Sequence, residues 1–198
     1  MNYLAHAYLS FNEPQILIGN MISDFVKGRA QFGYAANVQK GIQLHRAIDH
    51  FTDTHPSTKA AKEVFRGDYR LYSGAILDII YDHFLANDPN HFNETSLFHF
   101  TEEVYSVLED NAISLPTVFL QVLTYMRNEN WMFHYRTHEG IRKSLRGLAR
   151  RATYLTEGET AYGLFTKHYD ELREHYANFF PDVKKFAKEE FDKLLFVQ

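Results

Sequence analysis

The sequence predicts an all-α fold, and three observations carry that reading. Apolar residues recur at helical spacing, as Leu44, Ile48 and Phe51 do at i, i+4 and i+7. No stretch sustains a period-two alternation, and no Asn-Gly or Asp-Gly pair signals a hairpin. The prolines at 14, 56, 89, 116 and 181 fall at or near expected helix starts or loops. The spacing predicts helices over 2–10, 15–27, 36–53, 57–66, 69–86, 94–110, 116–130, 138–153, 159–178 and 182–195. A chain of 198 residues with no linker or repeat is expected to form one domain, 1–198.

Composition narrows the function. The 17 Phe and 13 Tyr predict an aromatic core and cleft. With no cysteine, disulfides and thiolate zinc sites are excluded, and a reducing compartment, the cytoplasm, is expected. The amino-terminal stretch lacks the basic start of a signal peptide, and no apolar run is long enough for a membrane span. A net charge of −4 argues against a generic nucleic-acid binder. The segment 142–151, RKSLRGLARR, nevertheless carries five positive charges and no negative one. Arg142, Arg146 and Arg150 stand at i, i+4 and i+8, a candidate docking strip for an acidic partner or a phosphate.

In chain order, the first helix carries His6 within an apolar, aromatic segment, where it is either a core histidine or a metal ligand. The second, ILIGNMISDFVKG, holds one carboxylate, Asp24, among apolar residues, which is costly unless it is paired or bound to a cation. Gly19 and Asn20 are poor helix formers inside it, and their small size suits a close backbone approach. The third, GIQLHRAIDHFTDTHP, sets His45 and Asp49 one turn apart beside the apolar face, with Asp53 continuing the row. An imidazole and a carboxylate at that spacing suit one divalent ion. The fifth, GAILDIIYDHFLA, reads as buried on all sides yet carries Asp78 and Asp82 at i, i+4, with His83 adjacent. Two carboxylates on a buried stripe stay ionised only with positive charge between them. A metal ion is the economical source, and a salt bridge to Arg46 or Arg70 is the structural alternative. His134 and His138 form a rival i, i+4 pair among more polar neighbours.

The expected metal set is therefore His6, Asp24, His45, Asp49, Asp78 and Asp82, converging from four helices. His83 and Asp53 are expected to support these ligands. Oxygen and nitrogen donors without sulfur suit Mn²⁺, Mg²⁺ or Fe²⁺, and such a site points to phosphoester hydrolysis.

These stretches resemble the acyl carrier protein phosphodiesterases, or ACP hydrolases. The resemblance rests on NYLAHAYLS, GNMISDFVKG, GIQLHRAIDHFTDTHP and LDIIYDHFLA, in that order, with weaker matches at ENW and HYANFFP. It implies an all-α fold related to HD-type phosphohydrolases, Mn²⁺ dependence, and release of 4′-phosphopantetheine from a holo-carrier by a metal-activated water. HD enzymes carry adjacent His-Asp; here the adjacent pairs are Asp49-His50 and Asp82-His83. In the implied reaction Arg46 grips a phosphate oxygen, Asp24 or Asp49 accepts the water proton, and the strip Arg142, Arg146, Arg150 docks the acidic carrier. Two other readings remain open at this point: an HD-like hydrolase of nucleotides or other small phosphoesters, and a non-enzymatic helical binding protein.

Overall fold

Prolines 14 and 56 each open a helix. The computed structural model describes residues 1–151 and 158–196, and its described residues contain helices and no strand. Helix α1 (Tyr3–Tyr8) is only six residues long, and its N-cap Asn2 makes no side-chain cap. Helix α2 (Pro14–Ile22) begins on a proline, whose φ suits a first turn. It stops at Ile22, earlier than expected, so Asp24 lies in a 3₁₀ turn, Ser23–Phe25. A second 3₁₀ segment, Gly28–Gly33, leads to α3 (Ala36–Thr54), which ends just before Pro56. Helix α4 (Pro56–Tyr69) again starts on its proline.

The helix expected over 69–86 is interrupted. Arg70 takes a positive φ of 43°, and a 3₁₀ turn, Arg70–Tyr72, precedes α5 (Ser73–Ala86). There follow α6 (Glu94–Asp110), α7 (Thr117–Asn128), the short α8 (Trp131–His134) and α9 (His138–Arg151). The expected end of α9 at 152–153 lies outside the described residues. Helices α10 (Glu159–Lys167) and α11 (Tyr169–Phe196) complete the set.

Pro181 was expected at a helix start and lies inside α11 instead. An interior proline costs about 3 kcal/mol. Leu172, Tyr176, Phe179, Phe180, Val183 and Ala187 are all buried along that helix. Each large apolar side chain contributes roughly 1.5–3 kcal/mol on burial, so the continuous helix wins.

Helix α5 runs through one hydrophobic cluster, with Ile76, Leu77, Ile79, Ile80, Tyr81, Phe84 and Leu85 all buried. Helices α2 and α3 cross with their backbones in contact. A Cβ on Gly19 would lie 2.1 Å from the Val38 carbonyl oxygen, and one on Gly41 would lie 2.3 Å from that of Ile16. Two glycines thus let the helices meet closely enough for α3 side chains to reach the α2 backbone.

Candidate metal centre

Five side chains from α1, α2, the Ser23–Phe25 turn and α3 form one polar cluster. His45 Nδ1 donates to the Asn20 backbone carbonyl at 2.7 Å, a bond the Gly19–Gly41 crossing permits. His6 Nδ1 bonds Asn20 Oδ1 at 2.8 Å. The amide nitrogen of Asn20 donates to the His6 carbonyl at 2.9 Å and to Ser10 Oγ at 3.1 Å, which leaves its oxygen facing the imidazole. Both rings therefore carry the proton on Nδ1 and aim Nε2 at Asp49.

His6 Nε2 lies 3.2 Å from Asp49 Oδ1, and His45 Nε2 lies 3.1 Å from Asp49 Oδ2 and 3.3 Å from Asp24 Oδ1. The two imidazoles stack with centroids 3.9 Å apart. Ligand atoms of His6, His45 and Asp49 all lie within 4.8 Å of one another.

Electrostatics polarise the pair. Burial, then the neighbouring His45 charge, push His6 down to about 4. Burial opposes the charge on His45, but its bonds to Asp24 and Asp49 raise it to about 9. The bond to His45 lowers Asp24. Burial works to raise Asp49, yet the histidines and the Met1 ammonium outweigh it and hold Asp49 far below the carboxylate range. Two imidazoles oriented through Nδ1 by oxygen acceptors, with a shared carboxylate and no sulfur, fit a divalent ion. Loading such an ion displaces the proton that His45 carries on Nε2.

The cluster opens into a cleft of about 1360 Å³. Its walls include His6, Asn20, Asp24 and His45, the α7 residues Val118, Val122 and Tyr125, and the α9 residues Lys143, Arg146 and Arg150. Trp131 and the buried Tyr135 also line it.

The sequence model of acyl carrier protein phosphodiesterase matches residues 1–183. The chain belongs to the acyl carrier protein phosphodiesterase family. A protein of that name from Photorhabdus laumondii is 32% identical over 189 residues, covering 95% of this chain and 96% of its own. One from Escherichia coli O45:K1 is 32% identical over 195 residues, covering 94% and 97%. One from Yersinia pestis is 31% identical over 192 residues, covering 95% and 98%. No solved structure matches the chain.

In this member of the family, the structure brings together His6, Asp24, His45 and Asp49 but gives Asp78 and Asp82 other partners. Asp82 is fully buried and accepts the backbone N–H groups of Leu4 at 2.8 Å and Ala5 at 3.2 Å. It caps α1 from outside, and burial pushes it up to about 7. Asp78 accepts from the Met1 α-ammonium at 2.9 Å, and that nitrogen also lies 3.5 Å from Asp49 Oδ1. Burial works against the ammonium, but Asp78 and Asp49 raise it to about 10. The positive charge expected between the carboxylates is thus an ammonium together with backbone N–H dipoles. Neither Asp78 nor Asp82 is in the group whose ligand atoms converge.

Four further expectations change. His83 Nδ1 donates to the Tyr135 carbonyl at 2.8 Å and its Nε2 meets Tyr169 Oη at 3.0 Å, so it ties α5 to the α8 end and to α11. Asp53 pairs with Lys62 at 2.6 Å on the exposed side of α3. Arg46 donates to Gln31 Oε1 at 2.8 Å and to the Val26 carbonyl at 3.3 Å, which pins the 26–31 loop rather than reaching into the cleft. Arg142 binds Glu159 through two nitrogens and does not line the cleft. Arg146 shares that glutamate at 2.5 Å. The basic wall of the cleft is accordingly Lys143, Arg146 and Arg150, with Arg142 turned to an ion pair.

Asn20 and Ser10 were not anticipated as part of the cluster, and both are fully buried. Asn20 carries a signal in the sequence, a lone amide inside an apolar run. Among the described residues the His134/His138 pair has no third donor in reach, and no helix is long and apolar enough to cross a membrane.

Proposed function

We propose that this protein hydrolyses the phosphodiester joining 4′-phosphopantetheine to an acyl carrier protein, giving apo-carrier and 4′-phosphopantetheine. The reading rests on one observation above others. Ligand atoms of His6, His45 and Asp49 converge where His6 and His45 line a cleft that also receives the basic side of α9. The names of the relatives supply the substrate. His6, His45 and Asp49 would hold a divalent ion, Mn²⁺ first and Mg²⁺ or Fe²⁺ otherwise. Such an ion, when bound, acidifies a water and polarises phosphoryl oxygens.

The chain's own groups do the rest. Asn20 and its backbone carbonyl hold both imidazoles through Nδ1, so Nε2 of each would face the ion once the His45 Nε2 proton has left. Asp24, with 76% of its side chain exposed and bonded to His45, orients the attacking water and accepts its proton. Lys143, Arg146 and Arg150 attract the acidic carrier. Histidine and aspartate donors carried on helices also support a kinship with HD-type phosphohydrolases. A partner of this class, and a chain without cysteine, support a cytoplasmic location.

Incubating the protein with holo-carrier and Mn²⁺, then weighing the carrier by mass spectrometry, tests the reaction. The expected result is loss of the prosthetic group. Intact carrier beside rapid nucleotide hydrolysis points to the small-phosphoester reading, and neither activity with no metal bound points to a binding protein. Replacing Lys143, Arg146 and Arg150 by Ala raises KM for the carrier, and added salt does the same in the parent. Exposed charges are screened over about 10 Å at 0.1 M ionic strength.

A further inference from the structure

The cleft is larger than a phosphoryl group requires, and one of its walls is apolar. At about 1360 Å³ it exceeds the ~300–1,000 Å³ usual for small-molecule pockets. On α7, Val118, Val122 and Tyr125 stand at i, i+4 and i+7 and all line the cleft, with Gln121 between them. Val118 is 61% and Tyr125 62% exposed, unusual for large apolar side chains on a helix whose Phe119, Leu123 and Met126 are buried. The start of this stripe is tied to the metal centre. Phe25, next to Asp24, packs on Phe119 with ring centroids 5.2 Å apart. The stripe therefore runs from beside Asp24 for about 10 Å along the helix, at 1.5 Å per residue. The cleft's cations come from a different helix, α9.

We infer that the α7 stripe Val118–Val122–Tyr125 binds the pantetheine arm of the substrate, while α9 faces the acidic carrier. This rests on the function proposed above. The arm joins the phosphate through a methylene next to a carbon bearing two methyl groups and continues through two amides. The valine methyls and the tyrosine ring suit the first, and the Gln121 amide suits the second. Charge divides the two walls: the neutral arm gains nothing from Lys143 and Arg150, whereas an acidic carrier does.

The test pairs binding with turnover in the intact protein. The Val118→Ala/Tyr125→Ala variant is compared with the parent and with Ile113→Ala, an exposed apolar residue outside the cleft. Titration with 4′-phosphopantetheine, followed by calorimetry, is expected to show about tenfold weaker binding in the double variant and no change in Ile113→Ala. With Mn²⁺, the preference for a phosphopantetheinyl-serine peptide over bis(p-nitrophenyl) phosphate, read as a ratio of kcat/KM, is expected to fall by a similar factor. Unchanged binding of 4′-phosphopantetheine overturns the inference. So does a KM effect seen with holo-carrier but not with the peptide, since the stripe would then contact the carrier. If holo-carrier is not cleaved but phosphopantetheine binding still depends on Val118 and Tyr125, the proposed reaction fails and the arm site stands.

Discussion

Helices α3 and α5 carry nearly the same signal and put it to different uses. Each presents an ionisable i, i+4 row beside an apolar face: His45 and Asp49 on α3, Asp78 and Asp82 on α5. On α3, His45 lines the cleft and Asp49 keeps 40% of its side chain exposed. On α5, Asp82 is buried while Asp78 reaches the cleft edge at 31% exposed, and the start of α1 meets both, giving Asp78 the Met1 ammonium and Asp82 two backbone N–H groups. The same α1 carries His6 to the α3 row. One row thus holds the helix that completes the other. A carboxylate pair becomes a ligand set or an anchor according to what packs against it, which its spacing does not encode.

The largest expected effect lies on α3. Asp49→Ala removes the carboxylate that both imidazoles share, so Mn²⁺-dependent turnover should drop to background and the Mn²⁺-induced rise in Tm should vanish by linkage. A variant that kept the parent's Mn²⁺ shift would move the ligand role elsewhere.

Next comes Asn20, which orients both histidines through their Nδ1 atoms. Outer partners of ligating histidines typically contribute about 10–100-fold to metal affinity. Asn20→Ala should weaken Mn²⁺ binding by that order, measured by calorimetry. An unchanged affinity would mean that packing alone orients the rings.

The α5 row should answer through stability. Asp82→Ala leaves the Leu4 and Ala5 N–H groups buried without acceptors, at about 1–3 kcal/mol each, lowering Tm by on the order of 10 °C. A ligand role for Asp82 predicts the reverse, an apo protein as stable as the parent or more so.

The same carboxyl also sets a pH dependence. Asp82 titrates at about 7 in the folded protein against a usual 3.8, so the folded state holds a proton that the unfolded chain has lost between those values. Its contribution to stability is fully present below about 3.8 and declines as pH rises to 7. Asp82→Asn removes that decline, so the Tm of the variant relative to the parent should climb from pH 4 to pH 7. A flat difference would mean that Asp82 stays ionised in the fold.

Much of this was legible locally. Helical spacing announced the all-α class and the buried α5, and Pro14 and Pro56 marked two helix starts because a proline suits the first turn. His45, Asp49, His6 and Asp24 stood out as ionisable groups beside apolar faces, and Gly19 announced a close backbone approach. Pro181 misled because long-range burial along α11 outweighed a local preference.

By itself, the sequence determined the all-α class, which faces are apolar and which residues have donor atoms suited to a divalent ion. Those are properties of neighbours within a turn or two. Only the tertiary structure decided that Asp82 caps α1, that Arg46 holds a loop, that Arg142 is spent on Glu159, and that the α9 cations and the α7 stripe face one cleft. Each of these depends on a partner far along the chain. Leu4 lies 78 residues from Asp82, and a hydrogen bond reaches only about 3 Å, so helix packing alone selects the pair.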